Sequence, residues 1–208
     1  ANPDNPMGSW HSANVVNSLI DDLPKSTLLV LDEAYVELAP VGTAPALRPN
    51  TPNVIRMRTF SKAYGMAGAR VGYAIGPKKL IAAFDKVRNH FGMSRISQAG
   101  ALAALSDQNY FDSVIEKVQI SRQQITDIAQ VNGLEALPSA TNFVTIDCGQ
   151  DGRFAHAVLQ SLIADGIFIR MPSIVPMDRC IRVSCGDASE MDAFAKALPT
   201  ALKAAQII

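Results

Sequence analysis

The chain has 208 residues, of which 48% are hydrophobic, and its 19 basic and 19 acidic side chains give a formal net charge of zero. This balance gives no argument for binding to nucleic acid or to a membrane surface, and no run approaches the roughly 18 apolar residues of a membrane span. A chain of this length can bury its core as one large or two small domains.

The cysteines and histidines show no pattern of a disulfide framework or a metal site. The chain has three of each. The cysteines (Cys148, Cys180 and Cys185) are too few and too irregularly spaced for a set of bridges or a paired-cysteine zinc site. We therefore expect no metal, reduced thiols and a cytoplasmic location.

In the first hundred residues, short apolar runs alternate with helical patterns. The runs predict three strands, at residues 28–32, 53–58 and 70–76. Helices are predicted within residues 9–23, capped by Ser12, and from Pro77 onward. The second helix is expected to have one apolar face, made of Leu80, Ile81, Phe84, Val87 and Arg88. The proline-rich segment 36–52 is expected to be a surface connection.

The second half begins with a long helical pattern. Apolar residues three and four positions apart predict helix almost throughout residues 97–131, and Gly133 provides a left-handed residue to end it. Beyond it, the pattern predicts strands at 140–147, 167–170 and 180–184, and helices at 156–163 and from Ser189. This alternation favours a small α+β domain.

Reactive and hydrogen-bonding side chains are concentrated at the end of the second predicted strand and just after it. They are Thr59, Ser61, Lys62 and Arg70. A partly desolvated lysine is an accessible nucleophile, the two hydroxyls can donate hydrogen bonds, and a guanidinium suits phosphate. Together they fit an aldehyde that carries a phosphate, as pyridoxal phosphate (PLP) does. Taken alone, a surface lysine in a glycine-rich loop is the more common explanation.

Two stretches upstream strengthen the PLP hypothesis. Asp32 lies at the C-terminal end of the first predicted strand, where ligands bind in open α/β sheets, and Tyr35 follows closely. Residues 2–8 (Asn-Pro-Asp-Asn-Pro-Met-Gly) form a turn in which Asn5 can hydrogen-bond a ring substituent.

Taken in order, these motifs resemble the signature of the fold-type I PLP-dependent aminotransferases of class I/II. They are Asn-Pro-x-Asn-Pro-x-Gly at 2–8, Asp-Glu-Ala-Tyr at 32–35, and Thr-x-Ser-Lys at 59–62 with Arg70 eight residues on. The forms at 32–35 and 61–72 look most like the histidinol-phosphate aminotransferase branch. The resemblance extends to Ile-Arg-Val-Ser at 181–184 and so covers nearly the whole chain.

The resemblance implies a fold and an assembly. Residues 1–98 would be the late half of the large PLP-binding α/β domain, with a mostly parallel sheet. Residues 99–208 would be a small α+β C-terminal domain that includes the linking helix. Relatives carry a phosphate-binding loop, a stacking aromatic residue and further strands upstream of these motifs, so we expect the C-terminal part of a longer enzyme. Relatives also build each active site from both subunits, which implies a homodimer.

The resemblance also implies roles for the motif residues. Lys62 would hold PLP as a Schiff base and move the substrate Cα proton, and Asp32 would keep the pyridine nitrogen protonated. Tyr35 and Asn5 would hydrogen-bond the ring oxygen. The phosphate would be held by Thr59, Ser61 and Arg70. Met7 replaces the threonine usual in its turn and cannot donate a hydrogen bond.

Arg182 is a further candidate. It lies between Ile181 and Val183 in a predicted strand, so alternation would turn it to the opposite face from them. The resemblance implies that it binds the substrate α-carboxylate through a bidentate contact. From the pattern alone, an exposed arginine on an edge strand is an equally good explanation. Asn142 is a candidate to assist, and Arg170 is an alternative clamp.

Three functions are compatible with the sequence. The first is a PLP-dependent transaminase that moves an amino group between an amino acid (histidinol phosphate or aromatic-type) and a 2-oxo acid. The second is an amino-acid decarboxylase on the same scaffold. The third is a nucleotide-binding ATPase, because the apolar run ending in Asp32-Glu33 also resembles a Walker B strand. The sequence has no Walker A loop to accompany it. The resemblance favours the transaminase.

Overall fold

The computed structural model describes residues 1–206, and the chain divides into two compact units. The first unit contains residues 1–4 and 10–115, and the second contains residues 5–9 and the chain from Glu116 onward. The chain passes from the first unit to the second within a helix, between Ile115 and Glu116. The expected domain boundary at residues 98 and 99 remains a prediction.

The first unit is built on a three-stranded sheet. Its strands are β1 (Leu29–Asp32), β2 (Val54–Thr59) and β3 (Gly72–Ile75), in that spatial order. β1 runs parallel to β2, and β3 runs antiparallel to β2 with Gly72 opposite Thr59. A Cβ atom at Gly72 would lie 2.9 Å from the Arg58 carbonyl oxygen, so this pairing requires a glycine. The three predicted strands are confirmed.

Three helices accompany this sheet: α1 (Ala13–Asp21), α2 (Lys78–Phe84) and α3 (Arg95–Ser106). Ser12 is the N-cap of α1, although its side chain makes no capping hydrogen bond. The predicted helix is confirmed as α2, with Pro77 as its N-cap, but its apolar face is not part of a buried core. No residue of α2 is buried, and Val87 lies beyond its end with 82% of its surface exposed. An apolar stripe becomes core only where another element covers it.

The predicted long helix is two helices. α3 ends at Ser106, and α4 is Gln108–Val131. The backbone of Asp107 between them is not helical, and its carboxylate accepts a hydrogen bond from the Tyr110 N–H, as an N-cap does. The apolar spacing continues across this break, so periodicity cannot show it. Gly133 follows α4 with φ of 72°, as predicted.

The second unit contains an antiparallel sheet of β4 (Glu135–Ala136), β5 (Phe143–Asp147) and β6 (Cys180–Ser184), in that order. β4 was not predicted, because two residues are too few to show alternation. The strand predicted at 167–170 is wrong: it is reduced to an isolated bridge between Arg170 and Arg182. Ile169 is buried but Phe168 is 74% exposed, so the short apolar run does not form a buried strand.

Helices α5 (Gly152–Ala164) and α6 (Ala188–Ala205) complete the second unit. Both begin at an aspartate that caps backbone N–H groups, and Asp187 forms a capping box with Glu190. The two helices share one buried core with the sheet and with the end of α4. Its members include Ile125, Val144, Ile146, Val158, Leu162, Ile181, Phe194 and Leu198.

Candidate functional site

The carboxyl ends of β1 and β2 place the predicted catalytic residues at one edge of the first sheet. Because these strands are parallel, their ends meet: β1 ends at Asp32, and β2 ends at Thr59, shortly before Lys62. Asp32 is exposed, and its Oδ1 accepts a 2.9 Å hydrogen bond from the Ala34 N–H. The carboxylate and the amine therefore emerge where ligands bind in open α/β sheets.

Tyr35 and Lys62 are in contact. The Lys62 Nζ lies 4.9 Å from the centroid of the Tyr35 ring, a cation–π distance. Tyr35 is buried, as are Phe60 and Ala63 on either side of the Ser61-Lys62 pair, whereas Lys62 itself is half-buried. The loop is thus anchored by its apolar residues, while Lys62 keeps part of its surface exposed.

The hydroxyls of Thr59 and Ser61 form a small network. The Thr59 hydroxyl is shared between Ser61 Oγ at 2.9 Å and the Val71 carbonyl at 3.3 Å, and it accepts the Ser61 N–H at 3.0 Å. Ser61 Oγ acts as an acceptor here, so its own proton can be donated to an anion.

Arg70 is brought to this network by the pairing of β2 with β3. Gly72 pairs with Thr59, and the Thr59 hydroxyl reaches the Val71 carbonyl, next to Arg70 in the chain. Arg70 has a left-handed backbone (φ 54°, ψ 49°), which is unfavourable for a residue with a side chain. Its Nη1 donates to the Ala67 carbonyl at 2.6 Å, and the side chain is exposed, as an anion-binding guanidinium needs to be.

A buried ion cluster, which the sequence patterns did not predict, joins the two strands that form this edge. Glu33 is 1% exposed, and its carboxylate accepts hydrogen bonds of 2.5 and 2.9 Å from Arg56 and of 2.9 Å from Arg58. One carboxylate following β1 therefore binds two arginines of β2. The available signal was a pair of arginines two residues apart in an otherwise apolar strand, but nothing in the sequence states that Glu33 meets them.

Glu37 is a second carboxylate near the cluster, in the 3₁₀ turn Val36–Leu38. Burial raises the pKa of Glu37 above its ordinary value of 4.5, and the charge of Glu33 acts in the same direction. Its own backbone N–H and the charge of Arg58 act against this rise. Its Oε2 is buried and has no hydrogen-bond partner among residues 1–206. This environment favours the protonated carboxyl.

In the second unit, a hydrogen bond joins Arg182 to Asn5. Arg182 Nη1 donates to Asn5 Oδ1, and the guanidinium lies over the Phe143 ring, 4.6 Å from its centroid. The predicted alternation is confirmed: Ile181 and Val183 are buried in the core, whereas Arg182 faces the opposite side of β6 and is half-buried. The amide and the ring therefore fix the orientation of the arginine.

A cleft of about 560 Å³ lies at this pair. It is lined by Asn5, Arg170 and Arg182 and by the apolar side chains of Met171, Ile174 and Met177. Both arginines considered as carboxylate clamps thus line one cleft, which is cationic at one end and apolar along its wall. Asn142 is not one of its lining residues, and the Asn142 carbonyl accepts the Cys185 N–H at 2.9 Å. A larger cavity of about 1090 Å³, along α5, contains none of the predicted site residues.

The cysteines offer no competing chemistry. All three are free thiols, and burial raises the pKa of Cys148 to about 12 and that of Cys185 to about 11, so both are protonated and poorly nucleophilic near neutral pH. Within residues 1–206, no three His, Cys, Asp or Glu side chains are grouped to hold a metal ion. No helix in this range has the length and apolar character needed to cross a membrane.

The amine and carboxylate at the ends of parallel strands, with hydroxyls and an arginine beside them, define an α/β protein with a lysine-containing site whose side chains suit an anion. The family model for aminotransferase class I and II matches residues 1–198. The chain therefore belongs to the class I and II aminotransferase family. This membership does not favour the ATPase reading of Asp32-Glu33.

Comparison with known proteins agrees with this membership. The structure of histidinol-phosphate aminotransferase from Sinorhizobium meliloti in complex with pyridoxal-5'-phosphate has a TM-score of 0.94 and 55% identity, over 97% of this chain and 56% of that chain. Histidinol-phosphate aminotransferase from Bacillus velezensis is 39% identical over 188 residues, 89% of this chain and 51% of the relative. L-threonine-O-3-phosphate decarboxylase from Porphyromonas gingivalis shares the fold, with a TM-score of 0.80 at 24% identity.

These comparisons confirm the predicted fold class, which is that of fold-type I aminotransferases. The chain spans about half the length of the relatives it matches. They also agree with the predicted histidinol-phosphate aminotransferase branch.

Proposed function

We propose that the protein is a PLP-dependent aminotransferase that moves an amino group from an amine donor, of the histidinol phosphate or aromatic type, to a 2-oxo acid. The observation that carries this proposal is the half-buried Lys62, whose amine contacts Tyr35 at the sheet edge where Asp32 emerges. Family membership and the PLP complex of the relative from Sinorhizobium meliloti support it.

The residues of the first unit fit PLP by their chemistry. An accessible amine suits an aldehyde, and a carboxylate suits a protonated ring nitrogen. The proton of Ser61 and the guanidinium of Arg70 suit a phosphate, and Thr59 orders both through its contacts to Ser61 and Val71. These residues come from two adjacent strand ends, so one sheet edge supplies a group for each reactive part of PLP.

When bound, PLP supplies an electron-accepting ring to the reaction. Lys62 would bind the aldehyde and, once displaced by the incoming amine, would accept the Cα proton at Nζ and return it. Asp32, oriented by the Ala34 N–H, would accept a hydrogen bond from the ring nitrogen. The Tyr35 hydroxyl would donate to the ring oxygen. Each step is an acid–base or positioning task for a side chain of this chain.

The second unit carries the residues to which the family resemblance assigns recognition. Within this unit, Asn5 Oδ1 accepts from Arg182, which leaves the Asn5 N–H₂ group as a donor, as the role implied for Asn5 by the resemblance requires. Arg182, held by Asn5 and by the Phe143 ring, would bind the α-carboxylate of a substrate that carries one. The family resemblance supports these roles, with Arg170 as the alternative clamp and Asn142 as an assisting residue.

We also propose that the protein is a homodimer and that it is cytoplasmic. The family resemblance supports the dimer, and the three free thiols are compatible with a reducing compartment. Light scattering tests the first statement, because a monodisperse monomer of the intact protein would contradict it.

Cofactor trapping tests the proposed function. The intact protein is incubated with PLP, reduced with borohydride and digested, and the modified peptide is identified by mass. We expect a phosphopyridoxyl group on Lys62 above all other lysines. The Lys62→Ala variant is expected to lose this label and about 10²- to 10⁴-fold or more of transaminase activity, whereas Lys78→Ala, on the surface of α2, is expected to keep both.

Two results would contradict the proposal. Labelling spread over surface lysines in a folded protein would exclude Lys62 as the PLP residue. Release of carbon dioxide, with no 2-oxo acid formed, would replace the transaminase with a decarboxylase on the same fold.

A further inference from the structure

Arg70 has a backbone conformation that its surroundings must maintain. Its φ of 54° lies in the left-handed region, and it is one of two described residues other than glycine with a positive φ. Such a conformation persists only where neighbouring contacts hold it. The contacts made by the chain on either side of Arg70 therefore decide where its guanidinium is presented.

The chain is held on both sides of Arg70. On the C-terminal side, the carbonyl of the next residue, Val71, accepts the Phe60 N–H at 3.0 Å. The Ala69 carbonyl, before Arg70, accepts the Ser97 hydroxyl at 2.8 Å. The Ala69–Arg70 peptide plane sets the φ angle of Arg70, so the Ser97 hydroxyl acts directly on the strained torsion.

The direction of this hydrogen bond is fixed by a second serine. Ser94, the N-cap of α3, donates its hydroxyl proton to Ser97 Oγ at 2.9 Å and accepts the Ser97 N–H at 3.0 Å. Ser97 Oγ is therefore the acceptor toward Ser94 and the donor toward Ala69. Consecutive hydrogen bonds of this kind strengthen one another.

α3 also packs on the lysine loop. Ala101 of α3 is buried together with Phe60 and Val71, and Ala69 packs against this cluster. Apolar packing holds the helix against the loop, but it is non-directional. The Ser97 hydroxyl adds the single directional contact from α3 to the peptide that precedes Arg70 among the side-chain hydrogen bonds described for residues 1–206.

We propose that Ser97 is a positioning residue for phosphate binding, which it controls by holding Arg70 in its left-handed conformation. This inference rests on the proposed function, in which Arg70 binds the cofactor phosphate. A sequence gives no signal for it, because Ser97 is one of several serines near a helix start and its contact spans 28 residues.

The test distinguishes the contribution of the phosphate to cofactor affinity from that of the rest of the cofactor. Dissociation constants for PLP and for pyridoxal, the same aldehyde without phosphate, are measured on the intact protein by absorbance titration. For Ser97→Ala we expect PLP binding to weaken about three- to tenfold, the loss of one hydrogen bond, and pyridoxal binding to change less than about twofold. Alanine favours helix, so the variant is expected to fold.

Two control variants come from the same helix. Ser97→Thr keeps the hydroxyl and is expected to retain PLP affinity. Ser106→Ala removes a hydroxyl that contacts only the Leu102 carbonyl of α3 among the described hydrogen bonds, and it is expected to leave both ligands unaffected.

A double-mutant cycle tests whether Ser97 acts through Arg70. In the Arg70→Ala background, Ser97→Ala is expected to have no further effect on PLP binding. Equal weakening of PLP and pyridoxal, an unchanged PLP affinity, or a full effect without Arg70 would each overturn the role of Ser97. A wild-type protein that fails to trap PLP on Lys62 would overturn the proposed function as well, so the two failures are distinguishable.

Discussion

The two units differ in how they hold their structure. The second unit has one continuous apolar core, in which Leu162 is 0% exposed. The first unit leaves many large apolar side chains exposed, among them Val15, Leu19, Leu28, Val30, Val87, Phe91, Ile96, Leu102 and Leu105. Its lysine loop packs on a small apolar cluster of Phe60, Val71 and Ala101. The Glu33 ion cluster and hydroxyl hydrogen bonds add directional contacts at the same sheet edge.

This difference separates two ways of fixing a functional side chain. In the second unit, burial of its strand neighbours sets the face on which Arg182 lies, and Asn5 and the Phe143 ring fix the orientation of its guanidinium. In the first unit, directional polar contacts position the lysine loop and Arg70 in addition to the buried apolar residues of the loop. Removing one partner of a buried polar contact lowers stability because the other partner is left unsatisfied. Shortening a side chain in an apolar core lowers stability in proportion to the cavity left behind.

The largest effect is expected from breaking the ion cluster of the first unit. Glu33→Gln would leave Arg56 and Arg58 buried without their carboxylate, which we expect to destabilise this unit by about 3–5 kcal/mol. Hydrogen exchange of peptides from each unit measures the effect. The matched control is Asp85→Asn, which removes the partner of Arg88 in an exposed pair and is expected to cost at most about 1 kcal/mol. Equal costs for the two variants would refute the structural importance of the cluster.

A pair of leucines sharpens the comparison of the cores. Leu162→Ala in the second unit is expected to cost about 2–5 kcal/mol because it opens a cavity in a closed core. Leu102→Ala in the first unit, where the side chain is 69% exposed, is expected to change stability by less than about 0.5 kcal/mol. Chemical denaturation followed by peptide-resolved exchange measures both. A large cost at Leu102 would show that its surface is covered in the intact protein.

The smallest expected effect is on how the stability of the folded state depends on pH. Because the pKa of Glu37 is raised on folding, its contribution favours the folded state below about pH 4.5 and is lost as pH rises through the raised value. Glu37→Gln is therefore expected to gain stability relative to wild type as pH rises from 4.5.

Asp187 in the second unit is expected to change stability with pH in the opposite direction. Hydrogen bonds from the Ser189 hydroxyl and the Glu190 N–H lower the pKa of Asp187 below 3.8. Its contribution is present above that pH and is lost as the pH falls, so Asp187→Asn is expected to approach wild-type stability in acid. Urea denaturation across pH 3–7 compares the two variants, and parallel curves for both would contradict these assignments.

The positions of the site residues could be predicted from the sequence, whereas most of the contacts that hold them could not. Asp32 and Lys62 could be placed because each follows an apolar strand, and parallel strands end together. Arg182 could be placed by alternation. The Glu33 cluster, the left-handed Arg70 and the Ser97 contact could not, since they depend on which distant residues meet. The strand predicted at 167–170 failed because a short apolar run does not specify whether a neighbour pairs with it.

The division of the chain into two units has an optical consequence. Trp10 and all four tyrosines (Tyr35, Tyr64, Tyr73 and Tyr110) lie in the first unit. The aromatic residues of the second unit from Glu116 to Gln206 are phenylalanines: Phe143, Phe154, Phe168 and Phe194. Within this chain, near-ultraviolet absorbance and tryptophan fluorescence therefore report the unit that carries Lys62. These two signals contain almost no contribution from the unit that carries Arg182.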